Sequence, residues 1–80
     1  MIEFSEIIER IKDIISNEKQ GKIRDKDVAE VLGMSARNLR VYKAANIHPF
    51  ENLCLFAVKY NISLDWLLFE RDFKVKKREK

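Results

Sequence analysis

Eighty residues, 46% hydrophobic and 36% charged, suit one small domain with a compact core. Two glycines and one proline leave few tight turns, and the abundant Leu, Ala, Glu, Lys and Arg are helix formers, so an all-α fold is expected over a sandwich or barrel. One cysteine cannot make an intrachain disulfide framework or a Cys-based metal site. One histidine, with no glycine-rich phosphate loop and no metal-ligand spacing, leaves no constellation for catalysis. The expectation is a non-enzyme with no cofactor, metal or small-molecule substrate.

No apolar run approaches the ~20 residues of a membrane span. Glu3 and Glu6 stand where a signal peptide would be basic, so a cytoplasmic protein is expected, with no membrane partner. The net charge of +3 is unevenly placed. Residues 1–18 hold five acids against two bases, residues 19–46 seven bases against three acids, and the last ten residues six bases against two acids. Two concentrations of positive charge point to a polyanionic partner.

In chain order, Phe4, Ile7, Ile8, Ile11, Ile14 and Ile15 recur at helical spacing, which predicts an amphipathic first helix ending before Asn17. A second helix starts near Asp25, whose carboxylate can cap free amides or favour the positive dipole end, and buries Val28, Ala29, Val31 and Leu32 before stopping at Gly33. Ser35 is a natural N-cap for a third helix from Ala36 to about Ala45. Pro49 suits the first position of a fourth helix over 49–60, with Phe50, Leu53, Cys54, Phe56, Ala57 and Val58 as its buried side. Cys54 then reads as a small buried hydrophobe. Ser63 caps a short fifth helix from Leu64 to about Phe69 or Arg71. The organisation expected is a five-helix domain over residues 1–72 and a basic tail over 73–80.

The second and third helices are separated by the short turn of a helix-turn-helix. Gly33 supplies the positive φ, and Ala29 permits close approach. Val28, Leu32, Met34, Leu39 and Tyr42 close a shared core. Projected at 100° per residue, the third helix turns Leu39 and Tyr42 inward. Arg37, Arg40, Val41 and Ala44 fall on the opposite side, with Asn38 and Lys43 on the flanks. Such a face suits the DNA major groove, where Arg can pair with guanine and Val or Ala can touch a thymine methyl.

These residues carry a resemblance. Residues 25–44 look like the helix-turn-helix of lambda-repressor-like proteins, and the stretch from about Ile7 to Phe69 is similar to the bacteriophage repressor DNA-binding domain. Its closing segment, Ser63-Leu64-Asp65-Trp66-Leu67-Leu68, adds to the likeness. The resemblance implies a five-helix, sequence-specific repressor that binds double-stranded DNA as a homodimer. It also implies that Lys26 approaches phosphate and that Ser35, Ala36 and Arg37 enter the groove first, followed by Arg40, Val41 and Ala44. Well-known members carry glutamine where this chain has Asp25 and Ala36, so base preference does not carry over.

Two further features bear on partners. Asn46, His48 and the free amides of the fourth helix could hold a phosphate, or His48 could simply cap that helix. The fifth helix is apolar nearly all round, so Leu64, Trp66, Leu67, Phe69 and Phe73 are expected to share a dimer interface. The basic tail either grips phosphate or aids solubility. The rival reading is a protein-interaction module, such as an antitoxin or anti-repressor adaptor, that would dock its basic helix on an acidic protein.

Overall fold

The computed structural model describes residues 1–18 and 21–69. They form five helices, α1 (Phe4–Ile15), α2 (Asp25–Leu32), α3 (Ala36–Ala45), α4 (Phe50–Tyr60) and α5 (Leu64–Leu68), and no strand among the described residues. The expected basic tail and an extension of α5 to Arg71 lie outside the described residues.

The apolar stripe of α1 is the floor of the core. Phe4, Ile7, Ile8, Ile11 and Ile15 are fully buried, and α2, α3 and α5 all pack against this helix. Val28, Ala29 and Leu32 of α2, Leu39 of α3, Leu53, Phe56 and Ala57 of α4, and Trp66, Leu67 and Leu68 of α5 complete one cluster. The N-terminal segment is tied in by Ile2, whose amide donates to the Leu68 carbonyl at 2.8 Å.

Three helices end in the same way. Gly33, Asn46 and Asn61 each adopt left-handed backbone, at φ 73°, 54° and 54°. After each of them, the next amide reaches back over the last turn: Met34 to Ala29 O, Ile47 to Tyr42 O and Ile62 to Ala57 O, at 2.9–3.0 Å. This closure satisfies carbonyls that a helix end leaves without partners. Glycine and asparagine are the residues that tolerate it best.

The structure corrects three expectations. Pro49 is the N-cap of α4 rather than its first helical residue. Phe50, Cys54 and Val58 are exposed, because the arc of α4 that meets α2 and α5 is the one bearing Leu53, Phe56 and Ala57. Trp66 and Leu67 are buried, because short α5 lies against both α1 and α4 and has little surface left to share. Arg10 fastens this helix end, donating to the carbonyls of Trp66 and Phe69 with its guanidinium 5.4 Å from the Trp66 ring centroid.

The left-handed ends give a stability test. A Cβ at Gly33 would meet nothing within 4 Å, so Gly33→Ala carries only the backbone penalty, about 1 kcal/mol in urea denaturation. Asn61→Gly should change stability by less than about 0.5 kcal/mol. Asn46→Gly should cost about 1 kcal/mol, because the Asn46 side chain accepts the Phe4 amide at 2.8 Å and glycine cannot.

Candidate nucleic-acid interface

The expected groove-facing residues lie together on the outer side of α3. Arg37, Asn38, Arg40, Val41, Lys43 and Ala44 are exposed, whereas Leu39 is buried and Tyr42 packs on the core. Ser35 sets the start of the helix: its hydroxyl accepts the Asn38 amide at 3.0 Å. The helix carries three bases and no acid.

The turn before α3 is held from behind. Asn52 of α4 donates to the Leu32 carbonyl at 2.6 Å, which fixes the C-terminal end of α2 beside α4. At the other end of α2, the Asp27 carboxylate accepts the Arg24 amide at 2.8 Å. Arg24, not Asp25, is therefore the N-cap, and Asp27 does the capping work expected of Asp25.

Asp25 has another role. Its carboxylate meets Lys12 of α1 at 2.9 Å and Lys43 of α3 at 3.2 Å, joining three helices through one side chain. The Lys12 hydrogen bond, opposed by partial burial and aided by Lys43, holds the Asp25 carboxyl below its ordinary 3.8. The same hydrogen bond, opposed by desolvation and aided by Glu9, raises Lys12 above 10.5. The acid that would repel phosphate is thus neutralised twice over, and Lys43 is engaged within the protein. Neither Lys12 nor this bridge was legible in the sequence, since the three residues are far apart along the chain and only packing brings them together.

Beside the bridge, Arg24, Asp25, Lys26, Ala36 and Arg40 line an open cleft of about 310 Å³ between the starts of α2 and α3. Lys26, Ala36 and Arg40 come together here, and Arg24, which precedes α2 and was not among the expected residues, joins them. The cleft presents three cations beside the positive dipole end of α2, an arrangement that attracts anions.

Asn46 and His48 sit apart from this cleft, and their side chains face the protein. Asn46 caps α1 through the Phe4 amide, and the His48 ring Nε2 lies 2.8 Å from the Ile2 carbonyl. His48 also lies between the Phe4 and Phe50 rings, with centroids 6.1 and 6.5 Å away. Both side chains anchor the N-terminal segment to the α3–α4 loop, and α4 begins after Pro49 with no side-chain cap.

Of the residues expected at a dimer interface, Trp66 and Leu67 are in the core, Leu64 packs against it, and Phe69 is 42% exposed. Phe73 lies outside the described residues. Among the described residues no group of His, Cys, Asp and Glu could hold a metal ion, and no helix is long and apolar enough to cross a membrane.

The Asp25 bridge predicts a pH-dependent stability difference. Asp25→Asn should be less stable than the parent at neutral pH, by less than about 1 kcal/mol because the partners are partly exposed. A carboxylate with a lowered folded value stabilises above its unfolded value and loses that effect as pH falls through the folded one. The thermal stabilities of the two proteins should therefore converge below pH 3.8.

No family model, no curated protein and no solved structure matches this chain.

Proposed function

We propose that this protein is a sequence-specific DNA-binding repressor of the phage type that inserts α3 into the major groove, acting as a dimer on a palindromic operator. The observation that carries the reading is the outer face of α3: Arg37, Arg40, Val41 and Ala44 are exposed together, opposite buried Leu39. Two arginines beside small apolar side chains complement the acceptor pair of guanine and the methyl group of thymine. Arg24 and Lys26, at the mouth of the adjoining cleft, supply the phosphate contacts that set register. Ser35, Ala36 and Asn38 lie at the leading end of the helix, where the groove is first entered.

Docking on an acidic protein is the competing reading. A protein-binding helix draws much of its affinity from anchors in which arginine is accompanied by large aromatic side chains such as Trp or Tyr. The exposed side of α3 offers no such aromatic, since Tyr42 is packed on the core.

Selection from a random DNA pool should return a palindromic site. On that site, Arg37→Ala and Arg40→Ala should each weaken binding by about 1–3 kcal/mol with unchanged thermal stability, because both side chains are exposed. Affinity should also fall with salt, with a log–log slope of about −0.9 per phosphate neutralised. Equal binding by wild type and both variants would refute the groove-facing assignment.

A further inference from the structure

The largest exposed apolar side chains of α4 lie away from the core. Phe50 is 50% exposed, Leu55 64% and Val58 63%, and Cys54 is exposed between them. On a helix, residues four apart stack on one side, so this surface is two parallel rows. One is Phe50, Cys54 and Val58, centred on Cys54. The other is Glu51, Leu55 and Lys59, centred on Leu55, with an acid four residues before the centre and a base four residues after it.

We propose that this face of α4 is a self-association surface, occupied by α4 of a second copy running antiparallel across a twofold axis. Such an axis, lying between two antiparallel helices, sets each row against its own copy. Leu55 meets Leu55 and Cys54 meets Cys54 at the centre, Phe50 meets Val58, and Glu51 meets Lys59 at both ends. Both rows are self-complementary under one operation, which is the defining requirement of an isologous interface. A parallel pairing, with the twofold axis along the helices, would instead set the Leu55 row against the Cys54 row, leaving Glu51 against Phe50 and Lys59 against Val58 with neither charge paired. Antiparallel pairing also opposes the two helix dipoles favourably.

The partner is therefore another copy of this chain: the opposite charges around Leu55, which also suit the dipole of α4, meet their complements when the same row of a second copy lies antiparallel against them. One helix face is smaller than the ~800 Å² per partner of a standard interface, so the association is weak and reversible. It forms without DNA, so its test is separate from that of the DNA-reading face of α3 proposed above.

Sedimentation equilibrium of the full chain without DNA, up to about 1 mM protein, tests the proposal. A monomer–dimer equilibrium is expected. Leu55→Glu should raise the dissociation constant at least ~10-fold, since it places two carboxylates together at the axis in place of apolar contact. Glu51→Lys or Lys59→Glu alone should raise it about fivefold, and the double variant should return to within about twofold of wild type. All of these positions are exposed, and circular dichroism checks that the variants stay folded. A bismaleimide of short reach should also link two copies through Cys54, and Cys54→Ser should abolish the link. A protein that stays monomeric to ~1 mM overturns the proposal. So does a dimer indifferent to Leu55→Glu, or a double variant no tighter than the single ones.

Discussion

Burial of one apolar stripe organises the molecule. Phe4, Ile7, Ile8, Ile11 and Ile15 lose all contact with water, and three of the other four helices take their places by covering them. A chain this short buries only about 60% of the surface its unfolded form exposes, so few alternatives bring five large apolar side chains out of water at once. The orientation of α3 follows from it. Leu39 points into the same cluster, and a helix anchored by its inner side must present its other side to solvent.

Polar contacts refine what burial sets. The Asp25 carboxylate joins Lys12 of α1 and Lys43 of α3, so it fixes the start of α2 against both neighbours. Exposed ion pairs of this kind contribute little stability each. Their effect here is geometric: the bridge sits next to the cleft of Arg24, Lys26 and Arg40, and it removes a negative charge from the side proposed to face DNA. Asn46 and His48 do the corresponding work at the far end of α3, where they lock the loop to Ile2 and Phe4.

Much of the fold was legible in the sequence because local chemistry marked it. Ser35 and Ser63 announced helix starts, Gly33 an end, and the isoleucine spacing a buried face. The errors fell where a segment is apolar on more than one side. In α4 the pattern allowed Cys54 and Val58 to be buried, and the neighbours chose Leu53, Phe56 and Ala57 instead. In α5 the same ambiguity pointed to exposure, yet Trp66, Leu67 and Leu68 are all buried because the helix has only five residues and lies between larger elements. The unpartnered apolar surface exists, but on α4. At the candidate site, Arg37, Arg40, Val41 and Ala44 could be read from a helical projection alone. Asn46, His48 and Asp25 could not, because a polar side chain beside a phosphate-like position is equally able to satisfy a backbone amide or an ammonium, and only the packed structure decides which.

On the function proposed here, the outer face of α3 reads DNA. Nuclear magnetic resonance of the amide-labelled protein, titrated with its selected duplex, tests it most directly. The expected result is that the largest shift changes fall on Ala36 to Ala44 and on Arg24 to Lys26 at the neighbouring cleft. Changes confined to the α4 surface, with the α3 amides unmoved by saturating duplex, would contradict it.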